Sequence, residues 1–183
     1  MIDDLFYSAM NSRSNVESFK HDIYPSKDEI DKIIKQSIDL TPVKNNIYNH
    51  FIEIWGPEFY DEKCKLMPAV TKYNQQVKAP YLLIFKKYLN YFNKRDFESN
   101  NMAIGIMGAI LQGYVISVLA NKNNIQASFC ACYKKDKPNF SKITSKRDEW
   151  YFMLGLGYVD RSARSDRDSK LLLPTLDELR KWI

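Results

Sequence analysis

The feature that most constrains the fold is residues 103–120, an uncharged stretch of eighteen residues in the second half of the chain. A helix that is apolar on every side lies either in a membrane or inside a protein core. Gln112, Ser117 and three glycines within this stretch weaken the membrane interpretation. We therefore predict a long helix that is buried in a protein core, and no membrane partner.

Composition favours one packed domain in a reducing compartment. A chain of 183 residues with 45% apolar residues can bury one core and is too short for two, so residues 1–183 are interpreted as a single domain. The three cysteines cannot form a closed disulfide framework, and the first ten residues, MIDDLFYSAM, carry two acids where a secretory signal carries positive charge. These features predict a cytoplasmic protein. The net charge of +5 favours anionic ligands without identifying one.

Helix signals are clearest near the amino terminus. A short helix is expected over about 2–11, with its acids at the positive end. The run Ser26-Lys27-Asp28-Glu29 is a capping box, and isoleucines 30, 33, 34 and 38 follow it at helical spacing. This pattern predicts a helix over about 27–39 whose isoleucine stripe faces the core. A further helical stretch is expected over about 59–77.

Strand patterns fill much of the remaining chain. Alternating residues predict strands over 48–55 and 126–133, and another strand is expected over 150–158. Residues 81–85 are apolar throughout, which is typical of a central strand covered on both faces. Residues 86–101 lack a clear period and are interpreted as a surface excursion or lid. An asparagine of 121–124 is expected to close the long helix in a left-handed conformation. The order of elements predicts an α+β fold, a three-layer sandwich with helix 103–120 beneath the sheet.

Standard catalytic and metal motifs are absent from the sequence. It contains no G-x-S-x-G, H-E-x-x-H, P-loop or G-x-G-x-x-G, and neither His21 nor His50 lies in a nucleophile pattern. Cys130 and Cys132 share one face of a predicted strand and, with Cys64 and a histidine, offer a zinc site. Small thiols that fill a core are the more common arrangement, so we predict no metal.

Two short motifs match part of a known pattern. Arg13 and Phe19 fit Arg-x-Ser-x-Arg/Lys-x-Phe, and Pro42 and Asn46 fit Pro-Ser-Ser-x-Asn-x-Gln-Pro-Trp. With the Ala79-Pro80 pair before an apolar strand, the buried helix, and Leu156-Gly157-Tyr158 before a basic loop, this order resembles the nitroreductase family of flavoproteins. The sequence departs from both motifs at Asn15, Glu17, Val43, Lys44 and Tyr48-Asn49-His50.

The resemblance implies a homodimer with a mostly antiparallel central sheet and an FMN in each of two sites between the subunits. NAD(P)H would reduce the flavin, and a nitroaromatic, a quinone or a similar small electron-poor acceptor would reoxidise it. Hydride passes through flavin N5, so no catalytic side chain is predicted. The predicted cofactor-binding residues are Arg13, Ser14, Asn15, Glu17, Pro42, Val43, Lys44, Asn46, Lys72, Gln75, Arg164 and Arg167.

The chemistry of these side chains suits parts of the flavin. Arg13 and one cation of the loop that contains Arg161, Arg164, Arg167 and Lys170 are suited to grip a dianionic phosphate. Lys44, Asn46, Lys72 and Gln75 are donors available to the polar edge of the ring, whereas the Glu17 carboxylate would oppose negative charge there. The aromatic residues predicted to cover the flavin and shape the acceptor pocket are Tyr88, Tyr91 and Phe92.

Three questions stay open at this level. The small residues Gly105, Gly108, Ala109 and Gly113 suit either a dimer contact or core packing inside one subunit. The altered motifs leave room for a divergent family member that binds FMN or another ligand without NAD(P)H turnover. A basic nucleic-acid-binding domain is a third interpretation, because Lys86, Lys87, Lys94 and Arg95 are interleaved with aromatic residues, although we expect no nucleic-acid partner.

Overall fold

Seven helices and strands follow one another in the part of the chain that the structure describes. This structure, a computed structural model, describes residues 16, 18–42, 50–66, 75–87, 100–130 and 150–160. The elements are α1 (Lys27–Leu40), β1 (His50–Trp55), α2 (Tyr60–Leu66), β2 (Tyr81–Lys87), α3 (Asn100–Lys122), β3 (Gln126–Cys130) and β4 (Trp150–Gly157). Short 3-10 helices occupy Pro57–Phe59 and Gln75–Lys78. From residue 27 onward this is the predicted order of helices and strands; the expected helix over 2–11 lies outside the described residues.

The four strands form one antiparallel sheet in the order β1-β2-β4-β3. β2 pairs with β1 and β4, so the apolar run 81–85 is a central strand, as predicted. Its side chains alternate between two core clusters: Leu83 and Phe85 face one cluster, and Leu82 and Ile84 face the other. The sheet is therefore covered on both faces.

Helices lie on both sides of this sheet. One core cluster joins the sheet to α1 through Ile30 and Ile33 and to α3 through Ile116. The other joins the opposite face to α2 through Leu66 and to the second 3-10 helix through Val77. This arrangement confirms the predicted three-layer α+β sandwich.

The first described helix begins and packs largely as its sequence predicts. The Glu29 amide donates to Ser26 Oγ at 3.3 Å and the Ser26 amide donates to Glu29 Oε2 at 2.8 Å, so the capping box is formed. Ile30 and Ile33 are buried, but Ile38 is 50% exposed and Ser37 is buried instead. The prediction for Ile38 was wrong because Ser37, about two turns after Ile30, is the residue that continues the buried line.

The long helix is buried on one side only in the single chain. Ala109, Ile116 and Ala120 are fully buried against the core, and Asn124, at φ 59°, closes the helix in the predicted left-handed conformation. The opposite side exposes four large apolar side chains, Met107, Ile110, Leu111 and Tyr114. The uncharged sequence predicted that the helix is buried on every side. Within one chain this prediction is wrong, because one side of α3 is exposed. No described helix has the length and hydropathy needed to cross a bilayer.

Gly113 of α3 packs against the core of its own subunit. A Cβ atom on Gly113 would lie 2.9 Å from the Phe152 ring of β4 and 3.1 Å from the Phe129 ring of β3. Gly105 and Ala109 are also buried. The small-residue face thus supports the core-packing interpretation, and the four exposed apolar residues form a different face of the helix.

The end of β2 differs from the sequence prediction. β2 continues to Lys87, so Lys86 belongs to the strand and not to a surface excursion. Its side chain is fully buried and forms an ion pair with Glu53 of β1. This removes Lys86 from the cations that motivated the nucleic-acid interpretation. The predicted helical stretch 59–77 contains α2 and the start of the second 3-10 helix among its described residues.

Candidate functional site

Three segments that carry predicted cofactor residues meet at one small cluster of side chains. Val16, Phe19 and Ala79 are buried together, and Val159 packs against them. Phe19 forms an isolated antiparallel bridge with Val159, and the Lys20 amide donates to the Tyr158 carbonyl at 2.8 Å. The segment after Arg13, the turn after the second 3-10 helix and the end of β4 are therefore adjacent. We call these four residues the convergence cluster.

Two of the predicted phosphate-binding arginines are close in sequence to the convergence cluster. Arg13 precedes Val16 by three residues and Arg161 follows Val159 by two. Both arginines lie outside the described residues.

Two lysines act electrostatically on His21, which follows Phe19 by two residues. Burial lowers the pKa of His21, the ammonium groups of Lys63 and Lys78 lower it further, and Asp22 acts in the opposite direction. Lys78 directly precedes Ala79, so one of these ammonium groups belongs to a segment of the convergence cluster.

Gly155 and Gly157 let neighbouring segments approach β4 closely. A Cβ atom on Gly155 would overlap the carbonyl oxygen of Gln76 and lie 2.8 Å from the Ala79 side chain. A Cβ atom on Gly157 would lie 2.6 Å from Pro80 and 2.9 Å from Phe19. The 3-10 helix Gln75–Lys78, whose first residue is a predicted flavin ligand, is thereby packed directly on the sheet.

Replacing Gly155 with alanine should destabilise the fold. The added Cβ meets backbone at Gln76, which cannot turn aside as a side chain can, so we expect Gly155→Ala to lower the free energy of unfolding by about 1–3 kcal/mol. Urea unfolding followed by tryptophan fluorescence measures the change. Gly113→Ala is the matched control, because it meets only the ends of aromatic rings and should cost less. Equal stability of Gly155→Ala and wild type would contradict the close approach.

The ends of the second motif are joined by buried hydrogen bonds. At the end of α1, the amide and hydroxyl of Thr41 donate to the Ser37 carbonyl at 3.0 and 2.6 Å, and Pro42 follows in an exposed position. Gln112 of α3 donates from Nε2 to Ser37 Oγ at 3.0 Å, and its Oε1 lies 2.6 Å from His50 Nε2 at the start of β1. Three elements thus meet around one buried amide.

The buried imidazole of His50 should make stability depend on pH. Burial lowers the pKa of His50 below its ordinary value of 6.5, and the hydrogen bond with Gln112 opposes this shift without cancelling it. Between the two values the unfolded chain binds more protons, so this contribution to stability is complete above about pH 6.5 and is lost as the pH falls below it. Urea unfolding between about pH 8 and pH 5 should show the loss.

A His50→Gln variant should flatten this pH dependence. His21→Gln is the comparison variant: the pKa of His21 is lowered as well, so each single variant should remove the part of the slope that its own imidazole contributes, and the double variant should be flatter than either. An unchanged slope in His50→Gln would assign the pH dependence to other groups.

Lys63 was not predicted to have a role. Its side chain is fully buried, and Nζ donates to the carbonyl oxygens of Gly56, Ala79 and Pro80 at 2.9, 2.7 and 2.8 Å. Burial lowers the pKa of Lys63 to about 8, so the ammonium is still the main form at neutral pH. One sequence feature indicated that Lys63 is buried. It lies four residues after Phe59 and three before Leu66, which places it on the apolar face of α2.

A groove with a volume of about 810 Å³ runs beside β1, and His21 is among its lining residues. Its lining includes the apolar residues Ile30, Ile52 and Ile54, the aromatic residue Tyr81, and charged residues of both signs, Lys27, Asp31 and Glu58. Neither Pro42 nor Gln75 lines it. A lining that carries charges of both signs gives no preference for a phosphate dianion.

The described residues contain no group of three histidine, cysteine or acidic side chains placed to hold a metal ion. Cys130 is buried in the core cluster around Trp55 and Trp150, so it fills core space, as the sequence indicated. Cys132 lies outside the described residues.

Two predicted site residues fall within the described part of the chain. Pro42 lies at the end of α1, and Gln75 begins the second 3-10 helix. The remaining predicted residues lie outside it: Arg13, Ser14, Asn15, Glu17, Val43, Lys44, Asn46, Lys72, Tyr88, Tyr91, Phe92, Arg164 and Arg167. The structure thus brings together the chain segments on which several of them lie and does not place their side chains.

Solved structures with the same fold are nitroreductase family proteins and related oxidoreductases. A candidate NAD(P)H:FMN oxidoreductase from Staphylococcus epidermidis is 16% identical, with a TM-score of 0.72 over 97% of this chain and 95% of that chain. A nitroreductase family protein from Clostridium difficile is 14% identical, with a TM-score of 0.70 over 96% of both chains. A nitroreductase with bound FMN from Desulfitobacterium hafniense is 14% identical, with a TM-score of 0.62 over 95% of this chain and all of that one, 100%.

The chain therefore has the nitroreductase fold, which confirms at the level of fold the resemblance seen in its motifs. No protein-family model matches the sequence, and no curated protein matches it. Identities of 14–16% establish the fold alone.

Proposed function

We propose that this protein is a single-domain, cytoplasmic, FMN-dependent oxidoreductase that accepts hydride from NAD(P)H and delivers it to a small electron-poor acceptor such as a nitroaromatic or a quinone. The observation that supports the proposal is the convergence cluster, in which the segment that follows Arg13 lies against the end of β4 that precedes Arg161. Two proteins with this fold are described as an FMN oxidoreductase and as a nitroreductase with bound FMN, which supports the same cofactor here.

The chemistry of the predicted residues suits the parts of FMN. Arg13 and a cation of Arg161, Arg164, Arg167 or Lys170 would bind the phosphate through paired guanidinium or ammonium hydrogen bonds. Asn46, Lys44, Lys72 and Gln75 would donate to the polar edge of the ring, and Tyr88, Tyr91 and Phe92 would exclude water from its face. When bound, FMN supplies the acceptance and donation of hydride, so the protein's contribution is placement.

The proposed oxidoreductase is a homodimer that forms through the exposed side of α3. The exposed side of α3 carries Met107, Ile110, Leu111 and Tyr114, four large apolar side chains between 37% and 55% exposed. A contiguous apolar face of this kind on a central helix marks an interaction surface. A second subunit presents the same apolar face, and two such faces would pair around a two-fold axis, so we assign this face to a homodimer.

Introducing a charge on this face should separate the subunits. We expect wild type to sediment as a dimer and Leu111→Lys as a monomer, because a lysine in the centre of an apolar contact is buried without a partner. Lys122→Ala, an exposed change at the end of the same helix, should remain dimeric. A wild-type monomer at micromolar concentration, or a dimer of Leu111→Lys, would remove this assignment.

Flavin binding tests the main proposal. Purified protein should quench the fluorescence of added FMN saturably, and Arg13→Ala should weaken this binding by about tenfold to a hundredfold, because a charge-assisted hydrogen bond to phosphate is lost. Lys35→Ala, an exposed cation on α1, is the control and should bind as wild type does. Absence of FMN binding by wild type would overturn the flavin proposal.

Anaerobic titration with NADH and NADPH separates the two flavin hypotheses. Bleaching of the flavin absorbance by either nucleotide supports the oxidoreductase. Binding of FMN without bleaching by either would favour the divergent member that binds its ligand without turnover.

A further inference from the structure

The groove beside β1 is lined in part by a buried tyrosine whose hydroxyl is unpaired. Tyr81 is 7% exposed, and its ring belongs to the core cluster that contains Ile30 and Ile33. It also lines the groove, and within the described residues its hydroxyl has no hydrogen-bonding partner. A tyrosine buried to this extent usually has such a partner, so this hydroxyl is available to a ligand.

The groups that act on this hydroxyl are acidic. Burial raises the pKa of Tyr81, and Tyr24, Glu58, Asp31 and Glu29 raise it further. Three of these four residues, all except Glu29, also line the groove, which places the phenol oxygen at the groove surface. Because every one of these causes disfavours negative charge on that oxygen, the potential at this end of the groove favours a cation.

The described lining of the groove is negative in a protein that is basic as a whole. Two carboxylates, Asp31 and Glu58, and one ammonium, that of Lys27, give a formal charge of −1, whereas the whole chain carries +5. The pKa of His21 is lowered from its ordinary value of 6.5, so its imidazole is mainly neutral at pH 7. Neither carboxylate forms an ion pair in the described part of the chain, so each is free to balance the charge of a ligand.

The carboxylate of Glu58 is held at the groove by the turn that carries it. A Cβ atom on Gly56 would overlap this carboxylate, which therefore lies against the Gly56 backbone. The Gly56 carbonyl in turn accepts from the buried Lys63 ammonium at 2.9 Å. Because the turn is fixed to the core before any ligand arrives, little entropy is lost in ordering it on binding.

The apolar part of the lining suits the carbon skeleton of a small molecule. Ile54 is 38% exposed and Tyr24 is 45% exposed, so both leave apolar surface uncovered in the groove. The Tyr24 and Tyr81 rings meet edge to face, with their centroids 6.4 Å apart. Aromatic rings attract an organic cation in addition to its apolar body, and the volume of about 810 Å³ lies in the range of small-molecule sites.

We infer that this groove binds a small organic cation, a protonated amine with an apolar body, whose ammonium group is held by the Tyr81 hydroxyl, Asp31 and Glu58. The ammonium donates to the phenol oxygen and its charge is balanced by the carboxylates, while the apolar body covers Ile52 and Ile54. None of the described lining residues is among the predicted cofactor residues, and the inference does not depend on the proposed flavin function.

Three probes that share a benzyl group and differ in charge test the preference for a cation. At pH 7, 2-phenylethylamine is protonated, 2-phenylethanol is neutral and phenylacetate is anionic. Calorimetric titration of the full-length protein should show saturable binding of the amine at millimolar concentration or below, and binding of the other two that is weaker by about fivefold or more. Amide chemical-shift changes caused by the amine should centre on residues 52–58 and 81.

Two substitutions one turn apart on α1 should have opposite effects. Asp31→Asn should weaken binding of 2-phenylethylamine by about threefold, and Lys27→Gln should strengthen it by about the same factor, because one removes an attractive charge and the other a repulsive one. Damage to the helix would weaken binding in both variants. Asp39→Asn is the matched control, since Asp39 is exposed two turns further along α1 and does not line the groove.

Tyr81→Phe tests the unpaired hydroxyl directly. Because the hydroxyl has no partner in the described structure, its removal should leave the midpoint of urea unfolding unchanged. Binding of 2-phenylethylamine should nevertheless weaken by about fivefold, since a hydrogen bond to a charged group is lost. A lower midpoint together with unchanged amine binding would show that the hydroxyl serves the fold and not a ligand.

Other results would also overturn the inference. If the amine does not bind, or if the alcohol or the acid binds as tightly, the groove has no preference for a cation. Equal weakening by Asp31→Asn and Asp39→Asn would mean that the amine responds only to the net charge of the protein. Displacement of the amine by FMN would place it at the cofactor site. Binding of the amine by a protein that binds no FMN would leave this site standing while the proposed function fails.

Discussion

Lys63→Met should lower the free energy of unfolding by about 3–5 kcal/mol, the largest effect that we expect from a single substitution. The ammonium is fully buried and donates to three backbone carbonyl oxygens from two segments of the chain. Methionine fills a similar volume but has no donor, so these carbonyls lose their partner inside the protein. Urea unfolding monitored by circular dichroism measures the loss.

Lys65→Met is the matched control for this prediction. Lys65 lies two residues further along α2 and is exposed, so the same chemical change should have almost no effect there. Lys63→Met should also weaken FMN binding, because two of its acceptors belong to Ala79 and Pro80, and Ala79 is part of the convergence cluster. Equal stability of the two methionine variants would show that the three hydrogen bonds contribute little.

Glu53→Gln should lower the free energy of unfolding by about 3 kcal/mol, since it leaves a buried charge without its counter-ion. Glu53 forms an ion pair with Lys86, whose side chain is fully buried, and also accepts from Trp55 Nε1 at 2.7 Å. The Lys86 ammonium lies 5.7 Å from the Phe51 ring centroid and 5.5 Å from that of Trp150, contacts that offset only part of its desolvation.

The double variant Glu53→Gln/Lys86→Met separates the cost of the unpaired charge from the value of the pair. Because a neutral replacement of both partners leaves no buried charge, most of the stability lost in Glu53→Gln should return. A double variant less stable than Glu53→Gln would mean that the pair itself, and not the isolated ammonium, carries the effect.

Local patterns in the sequence were sufficient for most elements of the fold. The capping box at Ser26 begins α1, and an asparagine closes α3 at Asn124. The uninterrupted apolar run in β2 identified a strand covered on both faces, and Trp150 begins β4 where predicted. These features could be predicted because each depends on a short stretch of sequence. The helix ends depend on residues that are close together in the chain, and the strand depends on whether a short segment is apolar on one face or on both.

The departures concern side chains whose partners are distant in sequence. Lys86 reads as part of a basic surface run, but its partner Glu53 lies 33 residues earlier. Ser37 takes the buried position that Ile38 was expected to hold, because Gln112 reaches it from α3. The candidate site shows the same division: the motifs named Arg13, Phe19, Pro42 and Asn46, and the adjacency of Phe19 and Val159 came only from the structure.

The sequence alone determined the order of helices and strands, the central strand and the family that the motifs resemble, since these follow from residue spacing and from apolar character within short windows. The tertiary structure decided which lysines are buried, which side of α3 is exposed and which segments meet at the convergence cluster. The physical reason is that these buried polar groups are stable only because distant parts of the chain supply their hydrogen-bonding partners. The spacing of residues along the sequence does not predict which distant residues will be in contact.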